Sequence, residues 1–273
     1  MALLTTLCAA GVGCSDVAGP GLDAAVHVEV AVSGGIAGVS YSFELDGPDG
    51  VVRGVTCTSG CDFEAGRVFV AVSPTQVART AGELREAGIF ALNGVDFGTV
   101  CCDQFQYVVT YREDGRTSTV RGDAGTLPPL LLRAVGVLQG MVDGRLPVVV
   151  ALDTDPQSYP SDPLTLEEAA ISGDVLEAAV HYGGGCRLHE IDLVAFHGWL
   201  ESAPVQVDVL LSHEDNGDMC DALIMETRRF DLRPLAEAYR DAYGGGAPGE
   251  TTLVLRLREP GQPGQLRLLE YRF

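Results

Sequence analysis

The chain has no lysine. All 18 of its cations are arginine, set against 38 acids over 273 residues, which leaves a formal net charge of −20. Residues 1–143 hold 8 Arg against 16 acids and residues 144–273 hold 10 against 22. Neither half therefore offers the basic footprint that nucleic acid or an anionic membrane surface requires, and no nucleic-acid partner is expected. No run of about 18 apolar residues occurs, which excludes a membrane-spanning helix. Aromatics make up only 7% of the chain, with one Trp, so the core must be largely aliphatic. The hydrophobic share of 46% supplies it and is too high for a disordered chain.

Catalytic signatures are missing as well. No Gly-x-Ser-x-Gly elbow occurs, which argues against an α/β-hydrolase. His189-Glu190-Ile191-Asp192-Leu193 begins like a zinc-peptidase helix but has Leu where the second His belongs, and it lies in a strand pattern. Gly34-Gly35-Ile36-Ala37-Gly38 leads into a strand, so no helix N-terminus follows to cradle a phosphate. Asp215-Asn216-Gly217-Asp218 lacks the spaced ligands of a calcium loop and reads as a hairpin turn. No catalytic residue and no cofactor is assigned, and a non-enzyme is expected.

What is present points to export. Residues 1–13 are apolar or small and stop at Cys14-Ser15-Asp16, as in a secretory signal. The segment resembles a bacterial lipoprotein signal, which implies lipidation of Cys14 and membrane attachment through that lipid, with residues 15–22 as a tether. Setting aside Cys8 and Cys14, six cysteines remain: Cys57, Cys61, Cys101, Cys102, Cys186 and Cys220. An even number fits disulfides in an oxidising compartment, here the cell envelope. Bridges from the Cys57/Cys61 arm to Cys101/Cys102 are favoured over a local Cys57–Cys61 bond, because a larger loop restrains the unfolded chain more. Cys186 and Cys220 are expected to pair. Their alternative is a zinc site with His189 and His213, the inventory of a tetrahedral centre. His197 and Trp199 form another candidate surface, with a core role preferred for the Trp.

Periodicity divides the chain. Val26–Val32, Val39–Leu45 and Val51–Thr56 read as strands, and Ser73-Pro74-Thr75-Gln76 as a helix start closed at Gly88. Alternation from Phe105 to Tyr111, a turn at Glu113-Asp114-Gly115 and a return through Thr117–Arg121 follow. A second amphipathic helix opens near Thr126. Prolines and turn residues between Asp153 and Pro163 suggest a linker. Six strands then run from Val175 to Phe273, interrupted by one helix over Arg233–Tyr243. The expected fold is an α+β N-terminal domain (an antiparallel sheet with two helices) followed by an all-β sandwich-like domain with one inserted helix. The expected boundaries are 1–22 for signal and tether, 23–143 for the first domain, 144–170 for the linker and 171–273 for the sandwich.

Two resemblances accompany this reading. Ser33-Gly34-Gly35-Ile36-Ala37-Gly38-Val39, Glu86-Ala87-Gly88-Ile89-Phe90 and Asp103-Gln104-Phe105-Gln106-Tyr107 make the first domain similar to emfourin-like proteins. The founding member of that family inhibits thermolysin-like metallopeptidases, so the resemblance implies an inhibitor as one possible role. Gly173-Asp174-Val175-Leu176, the run from Tyr182 to His189, Leu211-Ser212-His213, Gly217-Asp218-Met219-Cys220 and Phe230-Asp231-Leu232 make the second domain resemble NigD-like β-sandwich modules of bacterial envelope lipoproteins. The function expected is a non-catalytic envelope lipoprotein with a binding or scaffolding role, its partner a metallopeptidase or another envelope protein. A metal-dependent enzyme using the Cys186/His189/His213/Cys220 group comes last.

Overall fold

The computed structural model describes residues 26–100, 103–244, 249–260 and 266–273. The described residues are mostly β, with three α-helices and three sheets among them. In the first half, β1 (His27–Gly34), β2 (Val39–Asp46), β3 (Val51–Ser59), β4 (Val68–Ala71), β5 (Phe105–Glu113) and β6 (Arg116–Asp123) form one antiparallel sheet in the order β4-β3-β2-β1-β5-β6. Period-two alternation sends Val28, Val30 and Val32 of β1 and Tyr107, Val109 and Tyr111 of β5 into the core. Asp114 (φ 50°) and Gly115 (φ 73°) make the β5–β6 turn with both residues left-handed, which suits the twist of the flanking strands.

Two helices cover the apolar face. The first, α1 (Pro74–Glu86), starts where Ser73 accepts the Gln76 amide through its hydroxyl, and it buries Val77, Ala81 and Leu84. The second, α2 (Pro129–Val142), buries Leu131, Val135 and Leu138. These residues join the sheet in one buried cluster.

Residues 144–170, expected as a linker, instead carry strands. They hold β7 (Arg145–Pro147), β8 (Val149–Val150) and most of β9 (Thr165–Ser172). The physical reason is a short apolar run: Leu146, Val148, Val149, Leu164 and Leu166 are all buried, though only the intervening prolines and turn residues stand out in the sequence. The remaining elements are β10 (Val175–Gly184), β11 (Glu190–Leu200), β12 (Val205–Glu214), β13 (Ala222–Asp231), α3 (Arg233–Tyr243), β14 (Thr252–Arg258) and β15 (Leu266–Arg272). They form a four-stranded sheet, β7-β13-β10-β9, and a five-stranded sheet, β15-β14-β12-β11-β8. Leu176, Ala178 and Val180 of the first sheet share a core with Ile191, Leu193, Val207 and Val209 of the second, a sandwich-like arrangement. At one open side Arg267 of β15 donates to the carbonyls of Leu166 (2.5 Å) and Glu167 (3.0 Å) of β9.

The halves meet at a buried polar seam. Ser73 Oγ donates to Asp192 Oδ2 (2.5 Å), and Gln76 Nε2 donates to Asp192 Oδ1 (3.0 Å) and to the Pro147 carbonyl (2.8 Å). Arg79 donates to the Val148 carbonyl (2.9 Å). Burial holds the Asp192 carboxyl above the usual carboxylate range, against the opposing effect of the Ser73 and Gln76 hydrogen bonds. Asp192→Asn keeps an acceptor for Gln76 and removes a buried charge, so it is expected to change stability by less than about 1 kcal/mol at pH 7. Asp192→Leu strands both donors and is expected to cost about 1–3 kcal/mol. Urea unfolding of the two variants checks the contrast.

Candidate functional site

One end of the sandwich is built from two loops, 185–189 between β10 and β11 and 215–221 between β12 and β13. A disulfide joins them: Cys186 and Cys220 are bonded, with Cα atoms 5.9 Å apart. The pairing expected from the sequence is therefore present. The zinc alternative is overturned, because neither sulfur is free to act as a thiolate and the two imidazoles bond to each other. His189 Nδ1 lies 2.9 Å from His213 Nε2, and the rings stack at 5.1 Å. Tyr182 reaches across from the other sheet and packs on both, 4.5 Å from His189 and 4.9 Å from His213.

Asp218 organises this end. Its Oδ2 accepts the backbone N–H groups of Gly185 (2.8 Å), Cys186 (2.8 Å) and Arg187 (2.9 Å), while Oδ1 accepts that of Cys220 (2.9 Å). The same Oδ2 lies 3.3 Å from His189 Nε2. The Cys220 amide, with those of Arg187 and Cys186 and the His189 contact, holds this carboxyl far below the usual range. Gly184 is required beside it: a Cβ there would stand 2.5 Å from His189 Nε2. The sequence suggested a hairpin at Asn216-Gly217. Both residues do have positive φ (55° and 65°), but β12 and β13 belong to different sheets, so the turn crosses the sandwich.

Three contacts run in line: Asp218 to His189, His189 to His213, and His213 Nδ1 to the Asp162 carbonyl (3.2 Å). Burial, then the neighbouring His189, pushes the His213 pKa down, although the Asp162 carbonyl works the other way.

Beside this knot is a cleft of about 270 Å³ lined by Glu190, Asp192, Glu214, Ser212 and Asn216, with α1 at its far wall. Glu190 and Glu214 stand directly opposite each other on β11 and β12. Burial raises the Glu190 pKa, and the charges of Asp192 and Glu214 add to it. The Ser212 hydroxyl donates to the Pro160 carbonyl (2.9 Å). Sequence reasoning missed this acidic wall. Its signal was the i, i+2 pair of acids in a strand, which places them on one face.

The other sequence-derived residues are dispersed. Cys57 and Cys61 are bonded to each other, with Cα atoms 5.9 Å apart, which overturns the favoured bridges to Cys101 and Cys102. The loop-size argument concerned the unfolded chain; in the fold, β3 ends in a tight turn at Ser59-Gly60 (φ 69°) that returns Cys61 to Cys57. Cys14, Cys101 and Cys102 lie outside the described residues. His197 (φ 60°) sits exposed at a bulge in β11. Trp199 packs edge-on against Tyr239 (5.6 Å) and Tyr243 (6.1 Å) of α3, the packing role preferred for it. A feature not anticipated is the apolar rim around the Cys186–Cys220 bridge: Leu188, Met219, Leu223 and Met225 are 51%, 91%, 67% and 71% exposed.

Two expectations follow from this geometry. The folded chain holds His213 with a lowered pKa, so below about pH 6.5 the unfolded chain takes up a proton that the fold resists. Stability should fall as pH drops from 7 towards 5, and His213→Gln should flatten that slope in thermal melts. Removing the Cys186–Cys220 bridge, with its sequence separation of 34, should cost about 3–4 kcal/mol, against about 2 for Cys57–Cys61 with its separation of 4. Denaturant unfolding of the paired Ser variants checks the order.

No protein-family model matches the chain, and no curated protein matches it. Among solved structures it is similar to a NigD-like immunity protein from Bacteroides caccae ATCC 43185, at 12% identity and TM-score 0.32, over 90% of this chain and 96% of that one. It is also similar to a candidate lipoprotein from Bacteroides fragilis NCTC 9343, at 10% identity and TM-score 0.34, over 62% and 82% of the two chains. A protein of unknown function from Bacteroides vulgatus ATCC 8482 gives 10% identity and TM-score 0.33 over 64% and 76%. Likeness at this level assigns no role to the chain.

Proposed function

We propose that the protein is a non-catalytic, exported binding protein, tethered by lipid on Cys14, whose second half offers its apolar rim to a protein partner. The observation that carries this reading is the rim itself. Leu223 and Met225 are exposed on one face of β13, and Leu188 and Met219 are exposed in the two loops that the Cys186–Cys220 bridge joins, on a strongly acidic molecule; exposed apolar side chains near one another mark interaction surfaces. Met is among the residues enriched at such interfaces. The Cys186–Cys220 bridge and the Asp218 contacts hold the rim's loops in one conformation, which lowers the ordering cost of binding. Two disulfides fit an oxidising compartment. The metallopeptidase-inhibitor reading keeps only its sequence resemblance, and the metal-enzyme reading loses its ligands to the Cys186–Cys220 bond.

Photo-cross-linking in the producing cell tests this. A photoreactive residue at position 223 should give discrete protein adducts. One at position 36, on the exposed β1–β2 turn far along the chain, should give none. Equal labelling at both positions, or none at position 223, would remove the reading.

A further inference from the structure

Methionine is scarce in this chain, with four in 273 residues. Met1 lies outside the described residues. Met141 of α2 is 0% exposed and belongs to the core cluster, where a flexible thioether fills an irregular space. Met219 and Met225 fill no such space: they are 91% and 71% exposed, against the ordinary tendency of methionine to be buried. Both stand in the apolar rim, Met219 between Asp218 and Cys220 in the bridged loop and Met225 on β13. Leu188 and Leu223 already supply apolar surface there. What the two methionines add is sulfur that solvent reaches.

That sulfur differs from the rest in its oxidation state. Cys57 is bonded to Cys61 and Cys186 to Cys220, so none of these four can take up oxygen as a thiolate does. Among the described residues, the exposed reduced sulfur is therefore that of Met219 and Met225. Hydrogen peroxide oxidises a thioether by two electrons. A sulfur lone pair attacks one peroxide oxygen, the O–O bond breaks as the S–O bond forms, and the departing oxygen leaves as water after proton transfer. The product is a methionine sulfoxide, polar where the thioether was apolar. Methionine sulfoxide reductases reverse the step, with thiols as the reductant.

Resting on the rim being a binding surface, we propose that Met219 and Met225 are an oxidation site that switches it off. Peroxide converts both to sulfoxides, the apolar side chains left in the rim are those of Leu188 and Leu223, and the surface loses its hold on a partner. The fold survives the change. Neither thioether belongs to the buried core, and the Cys186–Cys220 bond and the Asp218 carboxylate hold the rim's loops independently of both. Met141 is spared because burial keeps peroxide from its sulfur.

The test uses the full chain bearing Cys14→Ser, so that no lipid dominates its retention on an apolar column. Peroxide treatment followed by peptide mass spectrometry should place one oxygen on Met219 and one on Met225 while Met141 stays reduced. On a phenyl column the oxidised protein should elute earlier, with its cooperative thermal melt retained. Met219→Leu/Met225→Leu, which keeps the rim apolar, should elute at the same position before and after peroxide. In the producing cell, peroxide should cut the adducts of a photoreactive residue at position 223 several-fold, and the double Leu variant should keep them. Oxidation of Met141 as fast as the other two, an unmoved elution, or an equal loss of adducts in the double Leu variant would each overturn the switch. Adducts that survive full oxidation of both sulfurs overturn it too, with the binding surface left standing. Absence of adducts at position 223 before any peroxide removes the binding surface, and the switch with it.

Discussion

The second half depends on where the Asp218 carboxylate sits. Three consecutive loop amides, those of Gly185, Cys186 and Arg187, would otherwise converge with no acceptor, and the Cys220 amide would join them. A disulfide alone fixes a distance between two loops and leaves them free to pivot; the carboxylate fixes their orientation. From it the order passes inward to His189, then to Tyr182, whose hydroxyl meets Glu226 and so Arg228 on β13. β13 is thus tied to contacts that begin at the loops. An apolar residue at 218 would leave those four amides without an acceptor.

The seam between the halves works by the same rule with a different acid. Asp192 is buried, and its oxygens take Ser73 Oγ and Gln76 Nε2 at the start of α1, where the helix N-terminus favours negative charge. Gln76 therefore serves both the helix start and the tie to β7 and β11. This explains why β7 and β8 can be so short: α1 bonds the carbonyl of Pro147, the last residue of β7, and that of Val148, the single residue between the two strands.

Most elements were legible from local pattern. The Ser73-Pro74-Thr75-Gln76 start, the β5–β6 turn, the six strands after Val175 and the helix Arg233–Tyr243 all stand where capping residues and periodicity put them. β7 and β8 were not, because two or three residues cannot display a period, and the prolines around them speak for a loop. At the site, the spacing of Cys186, His189, His213 and Cys220 showed that two loops could meet. It could not show that Tyr182 from the opposite sheet would fill the space between them, nor that Asp218, an ordinary turn residue by its neighbours, would become the acceptor of four amides. Those facts rest on contacts about 30 residues apart in sequence, as does the acidic wall of Glu190 and Glu214.

Residues 222–228 of β13 have no strand partner on the side away from β10 among the described residues, and this open edge can be set against the charge of the whole. Local protection is missing there because Glu226 and Arg228 are committed to Tyr182 and His189, so neither can project into the path of an incoming strand. Protection then falls to the long-range field. Thirty-eight acids against 18 arginines surround the strand with negative potential, which repels other acidic chains at a distance and fades within roughly a Debye length, about 8 Å at physiological salt. Inside that distance Leu223 and Met225 offer adhesion that any apolar surface could share, so the charge of the whole sets which partners come close enough to use it.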